Sequence, residues 1–192
     1  LYGFGRIGRL IARELITQAG KGRQLRLRAI VTRGNSDKDI IKRAALLRVD
    51  SVHGHFPGTV IEDLENKALI VNGHTIKMLV GSDPAKIDYE VHGIKDALLI
   101  DNTGVYRDRK GLDNHLKAKG ISKVLLTAPG KGDIPNIVHG INHAEFDIKE
   151  ESIYSAASCT TNCLAPIAKI LNDKWGIKRG LMTTVHAATA TQ

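Results

Sequence analysis

Gly3-Phe4-Gly5-Arg6-Ile7-Gly8 decides the fold, because what lies on either side of it turns a common spacing into a specific one. Leu1-Tyr2 precedes it as the end of an apolar strand, and Ile7, Leu10, Ile11 and Leu15 then recur at helical spacing. In a strand-to-helix turn of the form G-x-G-x-x-G, one glycine reverses the chain and one lets a pyrophosphate reach the backbone. The third lets the helix pack close to the strand. The helix N-terminus then offers free amides to the phosphates. Gly3, Gly5 and Gly8 are therefore expected to bind a dinucleotide.

Working outward, Gly20 and Gly22 end the first helix, and residues 25–32 alternate as a second strand. Ser36 caps a second helix with Ile40, Ile41, Ala44, Ala45 and Leu47 on its apolar face. Strand, helix, strand, helix predicts an α/β fold with a doubly wound parallel sheet, the Rossmann arrangement. Residues 68–71 and 75–80 flank Asn72-Gly73, the signal for a type I′ hairpin. Alternation resumes with a strand at 97–101, a helix at 110–119 and a strand at 123–128. Short strands are expected at 137–141 and 153–156, a helix from about residue 162 to 175 and a strand at 181–185. The chemistry changes near Ala157. Residues 1–157 thus read as the dinucleotide-binding domain and 158–192 as the start of an α+β catalytic domain. The first residue is Leu1 rather than Met, and Thr189 to Gln192 close no element, so the chain reads as an internal fragment.

Composition narrows the function classes. Of the 192 residues, 42% are apolar and 25% charged, a globular balance rather than a disordered one. No run approaches the roughly 18 apolar residues of a membrane span, and neither signal peptide nor lipidation motif is visible. The two cysteines, Cys159 and Cys163, exclude a disulfide framework and fit a reducing cytoplasm. They also lack the second pair that a structural zinc site needs, so no metal is expected. The net charge is +8, but apart from a cluster at Lys21, Arg23, Arg26 and Arg28 the basic residues are scattered. With 4% aromatics there is no platform for base stacking, and nucleic acid is not an expected partner.

The second strand should end in an acidic residue that holds the ribose 2′-hydroxyl. It reads Val31-Thr32-Arg33-Gly34 instead. A carboxylate there would repel a 2′-phosphate, whereas threonine and arginine can accept one. The reading leans towards NADP or dual use of NAD and NADP. The alternative keeps Arg33 in solvent and swings Asp37 or Asp39 back to the ribose.

Ser158-Cys159-Thr160-Thr161-Asn162-Cys163 places a cysteine where a strand gives way to a helix. Free amides and the helix dipole stabilise a thiolate at such a point. Cys163, one turn further in, is expected to face the core. His186 at the end of the last expected strand would complete a cysteine–histidine pair, the arrangement of an activated thiol. A capping cluster or a buried structural cysteine would read the same way.

Taken together, residues 3–9, Asp50-Ser51-Val52-His53-Gly54, Asn102-Thr103-Gly104-Val105, Ala128-Pro129, Ser158 to Pro166 and residues 181–192 resemble the phosphorylating glyceraldehyde-3-phosphate dehydrogenases. The resemblance spans the whole chain, in the same order. It implies Cys159 as nucleophile and His186 as base, with Ser158, Thr160, Thr189 and Thr191 around substrate and inorganic phosphate. It implies dinucleotide contacts from Arg6, Ile7, Thr103 with Gly104, and Thr127. It further implies a phosphorylated aldehyde as substrate and a homotetramer. Related readings are an erythrose-4-phosphate or non-phosphorylating dehydrogenase; a different class would be an RNA-binding or thiol redox-sensing protein. The chain departs from the family at Thr32, usually aspartate, at Ser82, usually a cofactor-facing arginine, and at Gly130-Lys131-Gly132.

Overall fold

The computed structural model describes residues 1–19, 21 and 25–186. The expected positions Gly20, Gly22, Arg23, Thr189 and Thr191 lie outside the described residues.

A single sheet runs through the molecule in two blocks that meet at Tyr2. The first block contains β1 (Ala29–Thr32), β4 (Val60–Asp63), β5 (Ala68–Val71) and β6 (His74–Val80), in the order β1-β6-β5-β4. The second contains β7 (Ala97–Asp101), β8 (Ile121–Leu126) and β9 (Ile153–Ser155), in that order. Tyr2 forms parallel bridges to Val31 on one side and Asp101 on the other. Its amide donates to Ile100 O at 2.9 Å, and its carbonyl accepts from Asn102 N at 2.8 Å. From β6 through β1, Tyr2, β7, β8 and β9 all pairings are parallel. The pairs β5–β6 and β4–β5 are antiparallel.

Both faces of the sheet are covered, which is why β1 is buried along its whole length. Its side chains alternate between two apolar cores. Ile30 packs with Ala12, Ile16, Ile40, Leu47 and Leu69, on the side of α1 (Arg6–Ala19) and α2 (Asp37–Arg48). Val31 packs with Tyr2, Leu99, Leu112, Val124 and Ile153, on the side of α3 (Arg109–Leu116). Fully burying one such side chain contributes roughly 1.5–3 kcal/mol. The doubly wound fold expected from the sequence is the fold found.

Several local expectations change. In α1 the buried residues are Gly8, Arg9, Ala12 and Ile16, while Ile7 is half exposed. At Gly8 the helix lies so close to the first turn that no side chain fits there, and the buried face runs through Ala12 and Ile16. Arg9 is buried there against Asp50, with Nη2 to Oδ2 at 3.1 Å. Asp50 belongs to a two-residue ribbon of β2 (Val49–Asp50) and β3 (Gly54–His55) that the sequence did not announce. In α2, Ile41 and Ala45 face solvent. The second strand begins at Ala29 rather than residue 25, because its ladder with β6 begins there. The hairpin is as expected: Asn72 (φ +48°) and Gly73 (φ +80°) both take the left-handed conformation that a type I′ turn requires.

Residues 137–141 are a turn, not a strand. Val138 O accepts the amides of Ile141 and Asn142, at 3.1 and 3.2 Å, and only Asn136 bridges to Ser155. The helix expected from residue 162 starts earlier, as α4 (Cys159–Trp175). Residues 181–185 form no strand among the described residues, since no neighbouring strand offers them a ladder, and Leu181 is fully exposed. No described helix is long and apolar enough to cross a membrane.

Candidate active site

The glycine turn performs three separate jobs. Gly3 has φ +90°, and its amide donates to Val31 O at 3.0 Å, which ties the turn to β1. A Cβ on Gly8 would lie 2.4 Å from Gly3 O, so the helix can approach only because that residue has no side chain. A Cβ on Gly5 would meet nothing within 4 Å. The space over Gly5, at the N-terminus of α1, is open to a ligand, and the turn fits a pyrophosphate.

That turn forms one wall of a cleft of about 690 Å³ at the carboxyl ends of the central strands. Gly3, Gly5, Thr32, Arg33, Ser82 and Thr103 line it, together with Arg43 from α2, which sequence reading missed. Thr32 is buried and its hydroxyl donates to Gly34 O at 2.7 Å, so that proton is committed to the turn. Arg33 is exposed and unpaired among the described residues. The two carboxylates that could have turned back to the ribose are committed elsewhere. Asp37 Oδ1 accepts from Lys67 Nζ at 2.7 Å. Asp39 Oδ2 accepts from Ser36 Oγ at 2.6 Å, while Ser36 Oγ accepts from Asp39 N, a reciprocal cap of α2. The Ser36 hydroxyl holds the Asp39 carboxyl below its usual range.

The opposite wall is braced from beneath. Asp101 Oδ1 accepts from the amide and the hydroxyl of Thr103, both at 2.7 Å. Thr127 Oγ1 donates to Asp101 O at 3.0 Å. Of the other expected contacts, Arg6 turns to Ser51 Oγ at 3.1 Å and lies 3.8 Å from Asp50. Gly104 takes φ +66° and accepts from Arg107 Nε. Arg6, Ile7, Gly104 and Thr127 surround the cleft without lining it.

The thiol end is built on a cap. Ser158 Oγ accepts from Thr161 N at 3.0 Å, which starts α4 and places Cys159 at its first position. Asn162 Nδ2 donates to Ala156 O at 2.7 Å and to Ser158 O at 2.9 Å, fastening the first turn to the end of β9. Ala157, between strand and helix, holds φ +59°, a conformation costly for a residue with a Cβ. Nothing in the residue type of Ala157 signals that strain. Thr160 Oγ1 lies 3.2 Å from His186 Nε2, so the imidazole stands at the same helix terminus as Cys159. Cys163 corrects an expectation: it is exposed, as is Cys159, because α4 buries none of its residues. No cluster of histidine, cysteine and carboxylate suited to a metal occurs among the described residues.

Comparison with known proteins bears on both ends of the chain. Residues 1–109 match the family model described as glyceraldehyde 3-phosphate dehydrogenase, NAD binding domain, and residues 158–192 match the corresponding C-terminal domain. The chain is 56% identical over 192 residues to a glyceraldehyde-3-phosphate dehydrogenase-like protein of Pseudomonas aeruginosa, covering all of this chain and 41% of that protein. It is 43% identical over 190 residues to the glyceraldehyde-3-phosphate dehydrogenase of Bacteroides fragilis, covering 99% of this chain and 53% of that protein. The same figures relate it to the cytosolic glyceraldehyde-3-phosphate dehydrogenase of Trypanosoma brucei brucei. The chain therefore spans about half the length of the curated relatives it matches.

Proposed function

We propose, from the premise that this chain belongs to the glyceraldehyde-3-phosphate dehydrogenase family, that the full-length protein oxidises and phosphorylates glyceraldehyde 3-phosphate to 1,3-bisphosphoglycerate. NAD or NADP serves as oxidant, and the absent carboxylate at Thr32 favours use of NADP at least comparable to NAD. The setting is the cytoplasm, the assembly a homotetramer, as the family resemblance implies.

The observation that carries the chemistry is that His186 stands 3.2 Å from the hydroxyl of Thr160, the residue next to Cys159, at the N-terminus of α4. Free amides of that turn stabilise the Cys159 thiolate, which adds to the aldehyde carbon and gives a hemithioacetal on Sγ. His186 takes the hydroxyl proton as the carbon is oxidised, and the amide of Cys159 stabilises the oxyanion. A nicotinamide bound in the cleft beside the glycine turn would supply the hydride acceptor. Inorganic phosphate then attacks the Cys159 thioester; the carbon–sulfur bond breaks, the acyl phosphate leaves and the thiolate returns. Hydroxyls of Ser158, Thr160, Thr189 and Thr191 orient the two phosphates. Gly3, Gly5 and Gly8 shape the dinucleotide turn, while Arg6, Ile7, Thr103, Gly104 and Thr127 complete its surroundings.

The test is aldehyde-dependent reduction of NAD and NADP by the full-length protein, with and without inorganic phosphate. Turnover that requires phosphate, and that disappears in Cys159→Ser while dinucleotide binding persists, supports this reading. Turnover without phosphate would assign a non-phosphorylating dehydrogenase instead.

A further inference from the structure

Arg43 was not expected at the dinucleotide site. It lies on α2, eleven residues beyond Thr32, the strand end where cofactor preference is usually read, yet its side chain lines the same cleft as Arg33. No aspartate or glutamate lines that cleft among the described residues. Arg43 Nε is shielded from water and meets no acceptor, and the side chain makes no ion pair among the described residues. Burial lowers the pKa of this guanidinium, and Arg9 nearby lowers it further, while Asp39 raises it. Asp39 gives it no direct bond, because that carboxylate is held by Ser36.

A half-buried guanidinium with an orphaned Nε is electrostatically costly as it stands. An anion in the cleft that Arg43 lines offsets that cost by its charge and by charge-assisted hydrogen bonds to the guanidinium. In a doubly wound fold the pyrophosphate lies at the glycine turn, and the adenine-side ribose lies towards the end of the second strand. The anion expected beside Thr32 is therefore one borne by that ribose.

We infer that Arg33 and Arg43 form a two-arginine clamp for a phosphate on the ribose 2′ carbon of the dinucleotide. Arg33 supplies an exposed charge from the strand end. Arg43 supplies a desolvated one from the helix, and with it most of the discrimination. Thr32 contributes by not being acidic. This inference rests on the dinucleotide reading above and deepens it by naming which cofactor the rim of the cleft selects and how.

The experiment is calorimetric titration of the full-length protein with adenosine 2′,5′-bisphosphate and with 5′-AMP, which differ only in the 2′-phosphate. Wild type should bind the bisphosphate at least about tenfold more tightly, by a margin that narrows as salt rises. Arg43→Met should remove about tenfold of the bisphosphate affinity and leave 5′-AMP within about twofold; Arg43→Lys should retain part of the preference. The unchanged 5′-AMP affinity reports that each variant is folded. Equal loss for both ligands in Arg43→Met, or no loss for either, overturns the clamp. Equal binding of the two ligands by wild type also overturns it while leaving the dinucleotide reading standing. If neither these ligands nor NAD nor NADP binds, the dinucleotide reading falls and the clamp with it.

Discussion

His115 Nε2 lies 3.0 Å from Asp101 Oδ2, and neither side chain reaches solvent. The other carboxylate oxygen holds Thr103 by two hydrogen bonds, and Thr103 Cγ2 is the atom that a side chain at Gly3 would strike, at 2.8 Å. A buried pair under α3 thus fixes the wall of the cleft opposite the glycine turn. The rings of Tyr2 and Tyr106 stand edge-on to His115, at 4.7 and 5.7 Å between centroids, and leave it little room to turn.

His115→Phe keeps the ring volume but leaves a buried carboxylate oxygen without its partner. The expected cost is about 1–3 kcal/mol of stability, seen as a lower urea midpoint. Dinucleotide affinity should fall with it, because Thr103 is no longer held. An unchanged midpoint would show that the pair contributes nothing net.

Gly8→Ala and Gly5→Ala should separate folding from binding. At Gly8 the new methyl meets backbone, Gly3 O at 2.4 Å, which cannot swing aside. The variant should lose roughly 1–3 kcal/mol or more of stability. At Gly5 the methyl enters open space, so stability should change by less than about 0.5 kcal/mol while dinucleotide affinity drops. Thermal melts paired with NAD and NADP titrations check both.

Cys159 should react with iodoacetamide faster than Cys163. Exposure does not separate them, since both are exposed. The difference is that Cys159 alone stands at the amide-bearing terminus of α4, and a thiolate is the reactive form. Peptide mapping after limited labelling of the full-length protein decides it; equal rates would remove the helix terminus as the cause.

Glu151 should link stability to acid. Its two oxygens accept from Arg109 Nη1 and Nη2 at 3.1 and 2.8 Å, which holds the carboxyl down at about 2 against an ordinary 4.5. A depressed carboxyl stabilises the folded state above its unfolded pKa, and that contribution fades as pH falls from about 4.5 through about 2. For a partly exposed pair the amount is on the order of 1 kcal/mol. Glu151→Gln should flatten the dependence of the melting temperature on pH in that window. An unaltered slope would mean that the pair is as strong in the unfolded chain.

Where hydrophobic period and turn chemistry coincided, the elements were legible: α2 with its Ser36 cap, the Asn72-Gly73 hairpin and the βα turn at Gly3. The strand at 137–141 failed because apolar spacing cannot see Asn142 closing a turn on Val138. Residues 181–185 failed for a related reason, since strand propensity is realised only beside another strand. The α1 face was misread because Ile7, Leu10, Ile11 and Leu15 mark a neighbouring stripe, whereas close approach at Gly8 turns the face of Gly8, Arg9, Ala12 and Ile16 inward. Within the candidate site, Cys159, His186, Thr32 and Arg33 could be singled out from residue type and spacing. Arg43 does not; in sequence it is one more cation on a polar helix face, and only the packing of α2 over the end of β1 brings it to the cleft.

The cap of α2 has a consequence for how this protein could change over evolutionary time. The Asp39 carboxylate is tied into starting a helix and is not free to be recruited by a ribose hydroxyl. A lineage shifting from one dinucleotide to the other must therefore alter the rim itself, at Thr32, Arg33 and Arg43. Of these, Arg33 is exposed and Arg43 bonds to no other described side chain, so their replacement disturbs little of the fold. On the two-arginine reading, cofactor choice is thereby set by side chains that take no part in capping or bridging the fold.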